Sequence, residues 1–284
     1  MRSGKNRLVW SYSNSILYTG CPRAYFYYKK LKDESRRADE NHNSTPLPLS
    51  SVSGIAIHKI ISKTIDRWEE KPQVDFEELY RESMLWISHL IDNADHSILD
   101  VVNGKTLSPK IYQILSLRVR RYVENFRKNI LPQFDGHKHL SHELLSLFSY
   151  ENLIIAVKPD LCTLDPTGVL VVTDWKTGRN LESLQINKQL GIYAIWAHLE
   201  YKVPLSNIVA QYANLETSEM IRTNVTETTA MELTNIIRGD LSKWNKHDIS
   251  DFPASPKLVK CFECRFLKHC SEGQQVSSID GFTS

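Results

Sequence analysis

Two short apolar runs, Leu153–Val157 and residues 169–173, are rich in β-branched side chains and predict strands. Between them Asp165-Pro166-Thr167-Gly168 spells a turn, because proline presets one central backbone angle and glycine accepts a positive φ. The unit this predicts is an antiparallel hairpin. Elsewhere the apolar spacing is helical. Ile57, Ile60, Ile61 and Ile65 mark the buried stripe of a helix opening at Gly54 and running toward Trp68. Upstream, Ser13 or Asn14 can cap a helix, and Cys21-Pro22 starts a second with proline in its first turn. Residues 36–53 are polar, carry Pro46 and Pro48, and read as a loop. Residues 75–98 and 109–131 predict two helices joined around Asn103-Gly104. Residues 141–148 predict the first sheet strand, which leads into the hairpin. A helix over 181–201, strands over 208–215 and 220–225, and a helix over 228–245 complete the pattern. The tail after Ser271 is expected to be loose.

The hairpin has a chemical consequence. Asp160 lies seven residues before Thr167 and Asp174 seven after it. In that register the two face each other with Cα atoms about 4.5–5.5 Å apart. Lys176, two residues on, projects from the same face. Adjacent carboxylates repel unless a cation lies between them, and hard oxygen ligands suit Mg²⁺ or Mn²⁺. Such an ion together with a lysine is what phosphodiester hydrolysis needs. The plainer alternative is a surface hairpin with solvated aspartates, since a slip of one residue puts the carboxylates on opposite faces. Five other residues bear on the site. His58 falls on or near the isoleucine stripe, where a hydrogen-bonded core histidine is the commoner outcome. Glu143 on the 141–148 strand could approach the carboxylates. Gln185, Gln189 and Tyr193 are spaced by four and share a helix face.

The composition narrows the class of protein. The chain has 284 residues and a net charge of only +2, so a nucleic-acid partner has to be met by local patches. Arg118, Arg120, Arg121, Arg127 and Lys128 form one such run, readable as a solvated face or as a track for phosphates. Arg23, Lys29 and Lys30 offer a second, beside Tyr25, Phe26, Tyr27 and Tyr28 that read as core. No apolar run reaches the ~20 residues of a membrane span, and residues 1–10 lack a signal-peptide core, so the expected location is the cytoplasm or nucleus. The five cysteines are unevenly spread, which argues against a disulfide framework. Cys261, Cys264 and Cys270 form a C-x2-C-x5-C run suited to zinc or an iron–sulfur cluster. Cys21, Cys162 and His269 are the candidates for a fourth ligand.

Taken in order, these residues resemble the PD-(D/E)XK nuclease superfamily, in particular its RecB-like branch with an iron–sulfur cluster. That branch includes the AddB C-terminal nuclease and the CRISPR-associated RecB-like exonucleases. The resemblance covers residues 11–270. It is carried by Cys21-Pro22-Arg23 with its aromatics, Gly54 and His58, Pro159-Asp160, Asp174-Trp175-Lys176, Gln189 and Tyr193, and the three late cysteines. It implies an α/β fold: a restriction-endonuclease-like core with a central mixed sheet flanked by helices. A helical insertion and an iron–sulfur clasp joining the N- and C-terminal regions would complete it. The implied division is N-terminal helices over 1–53, a histidine-bearing helical region over 54–135, a nuclease core over 136–250 and a cysteine segment over 251–284. His58, Asp160, Asp174 and the Trp175 carbonyl would bind Mg²⁺ or Mn²⁺. Lys176 would position the attacking water, and Gln189 and Tyr193 would orient the site. Cys21 would join Cys261, Cys264 and Cys270 around a [4Fe–4S] cluster, and Arg23, Arg118 and Arg121 would contact nucleic acid. The implied activity is a DNA exonuclease on single strands or ends, in repair, recombination or defence, with a helicase, recombination or CRISPR partner. The competing reading is a cluster-bearing DNA-binding scaffold with an idle site. Tryptophan between Asp174 and Lys176, where the family usually has tyrosine, and the long segment between His58 and Asp160 depart from the family pattern.

Overall fold

The turn at residues 165–168 is held by its own side chain. Asp165 Oδ1 accepts hydrogen bonds from Thr167 N at 2.8 Å, Thr167 Oγ1 at 2.7 Å and Val169 N at 2.9 Å. Gly168 takes the φ of 87° that closes the turn, which a side-chain-bearing residue adopts only with strain. The flanking strands, β5 (Leu161–Leu164) and β6 (Leu170–Lys176), pair antiparallel from Leu161↔Thr173 to Leu164↔Leu170. One step further out along this register come Asp160 and Asp174, as the count from Thr167 predicts. The computed structural model in which this is seen describes residues 8–38, 46–68, 74–178 and 183–279.

The other expected arm of the hairpin belongs elsewhere. Leu153–Val157 is β4 of a separate three-stranded sheet, ordered β1-β4-β3, with β1 at Val9–Ser11 and β3 at Ser146–Tyr150. Pro159 has no N–H to give a ladder, and the chain changes sheet across Lys158-Pro159-Asp160. The strand expected over 141–148 is likewise two strands in two sheets. β2 (Lys138–Ser141) ends where Glu143, at a φ of 51°, turns the chain toward β3.

The larger sheet is mixed, ordered β2-β5-β6-β7-β8, with β7 at Ile208–Asn214 and β8 at Met220–Asn224. Only β6 and β7 run parallel, from Leu170↔Ile208 to Lys176↔Asn214. Their crossover is α8 (Ser183–Tyr201), whose Leu190, Ile192, Ala194, Ile195, Trp196 and Ala197 are buried. β6 is buried from Leu170 to Trp175, as expected of a central strand covered on both faces. The Trp175 ring meets Phe126 and Phe134 edge-on, at centroid distances of 5.7 and 5.9 Å. The α/β architecture with helix-flanked mixed sheets therefore stands as the sequence predicts.

The helices are α1 (Tyr12–Gly20), α2 (Pro22–Ala38), α3 (Leu49–Asp66), α4 (Phe76–Asp92), α5 (Ala94–Ser97), α6 (Leu99–Val102), α7 (Ile111–Asn125), α8, α9 (Glu227–Trp244), α10 (Leu258–Phe262) and α11 (Ser271–Ile279). Three corrections concern their ends. The helix expected to open at Gly54 starts at Leu49, whose N–H bonds to Asp100 Oδ2 at 2.8 Å. A cap supplied from fifty-one residues away leaves no local signal. The loop expected over 36–53 is thus helical at both ends, and residues 39–45 lie outside the described part. The expected loose tail is helical to Ile279, tied back by Gln274 Nε2 to the Leu267 and Lys268 carbonyls at 3.0 Å each.

By its contacts the chain forms two compact units. One comprises Met1–Tyr12, Ile57–Tyr80 and Val119–Asn245, and contains both sheets; the other comprises Ser13–Ala56, Arg81–Arg118 and Lys246–Ser284.

Asp165→Ala removes three bonds to one carboxylate and is expected to destabilise the fold by about 1 kcal/mol at neutral pH. Burial would raise the Asp165 pKa, but hydrogen bonds from Thr167 and Val169 together bring it below the usual value. A depressed carboxylate pKa contributes stability above the unfolded value, and that contribution is lost as pH falls through the folded one. The gap between wild type and variant in urea denaturation should therefore close in acid, and a gap that persists unchanged would refute the turn's role.

Candidate active site

The acidic residues are placed by the sheet. Asp160 precedes β5, Asp174 and Lys176 end β6, and both aspartates are buried, with 7% and 3% of their surface exposed. Asp160 Oδ2 accepts the Trp175 backbone N–H at 2.7 Å. Asp174 Oδ1 accepts from Gln189 Nε2 at 2.9 Å and lies 3.2 Å from the Tyr193 hydroxyl. That hydroxyl accepts from Gln189 Nε2 at 2.8 Å and shares its proton with the Lys158 carbonyl at 3.1 Å. Tyr212 OH donates to Gln189 Oε1 at 2.8 Å, which fixes the orientation of the amide. Tyr212 is available for this because the parallel register sets it beside Asp174.

Around the aspartates, His58 Nδ1 lies 3.5 Å from Asp160 Oδ1 and 3.7 Å from Glu143 Oε1. Glu143 Oε2 pairs closely with Lys158, and Lys176 pairs closely with Asp174 Oδ2. The Lys176 ammonium also sits 5.1 Å from the centre of the Tyr212 ring, a cation–π distance. Asp174 Oδ2 is buried and makes no further hydrogen bond among the described residues.

The charges are strongly coupled. Burial raises the Asp174 pKa to about 6, aided by the field of Asp160 and opposed by Lys176 and His58. His58 moves the other way. Its burial disfavours protonation, but hydrogen bonds to Asp160 and Glu143 and the fields of Asp160 and Asp174 raise its pKa to about 10. Burial would raise Glu143, yet His58 and Lys158 bring it down to about 2. Burial and the neighbouring aspartates push both Tyr193 and Tyr212 well up, so they act as hydrogen-bond donors and not as acids.

His58, Glu143 and Asp160 each bring a ligand atom within 4.8 Å of the others. The donor set is one imidazole and two carboxylates, which fits Mg²⁺ or, with its nitrogen, Mn²⁺, while Asp174 is paired through Oδ2 with Lys176. Of the residues picked out by sequence, the fold gathers His58, Asp160, Asp174, Lys176, Gln189 and Tyr193 into one place. Trp175 contributes its N–H and a core indole. Glu143, Lys158 and Tyr212 are additions. For Glu143 the sequence held only a possibility, and Tyr212 depends on strand pairing that no local pattern encodes.

The remaining expected site residues are engaged locally. Arg121 pairs with Glu216, which is nearly buried, and Arg120 is bidentate to Glu77 at 3.1 and 3.2 Å and stacks on Tyr80. Two cations of the run, Arg120 and Arg121, are thus paired with carboxylates. Arg118 is half-buried on α7. Arg23 donates to the Phe252 carbonyl at 2.8 Å and to Glu272 at 2.9 Å. Cys162 is a buried thiol whose pKa burial pushes up to about 12. Cys21, Cys261, Cys264 and Cys270 are free thiols lining one cavity of 310 Å³, but they do not close to the 4.8 Å spacing of the acidic group.

A family model described as the PD-(D/E)XK nuclease superfamily matches residues 9–271. Comparison with curated proteins finds no significant match. Among solved structures, a "Putative exonuclease" from Eubacterium rectale is 11% identical, with 97% of this chain and 93% of that one covered, at a TM-score of 0.43. A second, SSO0001, is 12% identical over 88% and 95% of the two chains, at a TM-score of 0.31. At these scores neither likeness carries weight on fold or activity. Among the described residues no helix is long and apolar enough to cross a membrane.

The raised His58 pKa has a measurable sign. A cationic group stabilised by folding contributes fully below its unfolded pKa, near 6.5, and that contribution is lost as pH rises toward about 10. Without added metal, thermal melts between pH 6.5 and 9.5 should show a falling midpoint. His58→Gln should flatten that slope; an equal slope in the variant would show that the histidine does not carry the charge balance.

Proposed function

The chain belongs to the PD-(D/E)XK nuclease superfamily, and from that premise we propose that it is a metal-dependent deoxyribonuclease acting on single strands or DNA ends. We place its work in repair, recombination or defence-related DNA processing. The observation that carries the reading is the grouping of His58, Glu143 and Asp160, together with the Asp174–Lys176 pair at the end of β6. His58, Glu143, Asp160 and Asp174 would hold the cation, and when bound it would supply Lewis acidity toward a phosphoryl group.

The protein's own groups do the positioning. Gln189 and Tyr193 fix Asp174 Oδ1, which leaves Oδ2 as the oxygen turned to Lys176 and the site. Lys176, steadied by Asp174 and the Tyr212 ring, would hold the attacking water and offset charge developing on the phosphate. The Trp175 N–H keeps Asp160 from rotating away. Burial of both aspartates keeps bulk water from screening these interactions.

Purified protein with Mn²⁺ should degrade labelled DNA, and Lys176→Ala should slow this by roughly 10²- to 10⁴-fold. Mn²⁺ binding by calorimetry and the melting temperature should persist in the variant. Equal cleavage rates would remove the proposed chemistry. Labels at the 5′ and 3′ ends give the polarity of digestion.

The four-cysteine cavity supports a second group, a [4Fe–4S] cluster. Four thiolates on one zinc at ~2.3 Å would lie about 3.8 Å apart, whereas no three of these sulfurs all lie within 4.8 Å of one another. Backbone N–H groups already point at sulfur, Ser255 N at Cys21 Sγ (3.5 Å) and Gly273 N at Cys270 Sγ (3.4 Å). Hydrogen bonds of this kind stabilise cluster sulfurs. Protein prepared without air should be brown, with broad absorption near ~400 nm that Cys264→Ser abolishes. Colourless protein containing zinc would end the cluster assignment.

A further inference from the structure

The turn that delivers Glu143 also carries a feature for which the catalytic reading has no use. Leu144, Leu145 and Leu147 are 54%, 67% and 66% exposed, three large apolar side chains in four consecutive positions. Single exposed leucines are ordinary, but a contiguous group marks an interaction surface. These leucines are also held in place from both ends. Glu143 N donates to the Pro159 carbonyl at 3.1 Å, and its carboxylate is fixed between His58 and Lys158. On the far side Ser146↔Val157 and Leu147↔Ala156 lock the start of β3, an edge strand, to β4. Leu147 sits on the strand's exposed face, where alternation calls for a polar residue.

We propose that Leu144, Leu145 and Leu147 form an aliphatic wedge that lies against the bases of the DNA substrate and holds a terminal base pair open beside the acidic cluster. This rests on the nuclease reading. Position and chemistry both support it. An extended chain covers ~3.3–3.6 Å per residue, so Leu144 and Leu145 lie within about 7 Å of Glu143 along the backbone. One DNA strand advances ~3.4 Å per base step. Leu144 and Leu145 therefore lie within the span of one or two base steps of Glu143, and so close to a phosphate held at His58, Glu143 and Asp160. Leucine offers nothing to a phosphate, but apolar side chains including leucine insert between base steps and unstack them. The occupant this surface fits is the face of an unpaired or fraying base.

The test uses a blunt duplex with 2-aminopurine in its terminal pair and Ca²⁺ in place of Mn²⁺, so that no cleavage is needed. Wild-type protein should raise the fluorescence as the base unstacks, and the triple variant Leu144→Ser/Leu145→Ser/Leu147→Ser should abolish the rise. With Mn²⁺ the variant should cut a blunt duplex about tenfold more slowly relative to one with a mismatched, pre-frayed end. Its hydrolysis of bis(p-nitrophenyl) phosphate and its melting temperature should be unchanged, since the leucines are exposed and outside the acidic cluster. No fluorescence rise with wild type, or the same rise and the same cleavage ratio in the variant, would overturn the wedge. So would sedimentation showing that the leucines serve self-association while the fluorescence stays as in wild type. Failure of the nuclease reading would show separately, as undiminished cleavage by Lys176→Ala.

Discussion

Asp160 and Asp174 are forced together in a place that water hardly reaches, and much of the surrounding structure answers that constraint. Two carboxylates in such a position repel, and the raised pKa of Asp174 is the direct expression of burial plus its neighbour. Three cations, His58, Lys158 and Lys176, stand against the three carboxylates of Glu143, Asp160 and Asp174. The charge on His58 is the conditional one, because its protonation is sustained only by the carboxylates. In the proposed site a cation held by His58 would displace that proton, which would link metal affinity to pH. The neutral network of Gln189, Tyr193 and Tyr212 serves a different end: it occupies Asp174 Oδ1 completely and leaves Oδ2 to the site.

The parts of this that could be read from the sequence are those fixed by local chemistry. The Asp165–Gly168 turn sets a register, and the register alone sets Asp160 against Asp174. The four-residue spacing of Gln189 and Tyr193 needs only a helix. What escaped has a distant partner. Leu153–Val157 has the composition of a hairpin arm, but a strand's partners are chosen by tertiary context, and β1 and β3 claimed it. The start of α3 depends on Asp100, and Tyr212 reaches Asp174 only through a parallel crossover. Glu143 is the clearest case. Its carboxylate arrives through a turn at positive φ that an uninterrupted strand over 141–148 would have prevented.

Charge runs proved less informative than charge pairs. The arginines of α7 suggest a phosphate track in one dimension, yet Glu77 and Glu216 meet Arg120 and Arg121 in three. A chain of net charge +2 has little cation in excess for binding a polyanion. Under the proposed function, recognition of DNA would rest on local groups and not on the overall field. A metal centre gripping phosphate would be one such local device, and apolar contact with bases would be another.

The proposed ligand Glu143 and the proposed wedge lie on one short segment. Residues 142–147 begin at the acidic cluster, turn at Glu143, and emerge as leucines before joining the edge strand β3. A turn that served only to carry a ligand would be expected to hold polar residues, as turns do for reasons of backbone solvation. A segment that served only to start a strand would not need its first residues anchored to Pro159 and Lys158. Anchoring makes sense if the leucines must keep a fixed distance from the phosphate site, because a wedge that moved relative to the cut would not select which bond is presented to it. The positive φ of Glu143 is then the geometric link that points its carboxylate inward while the next two side chains point out.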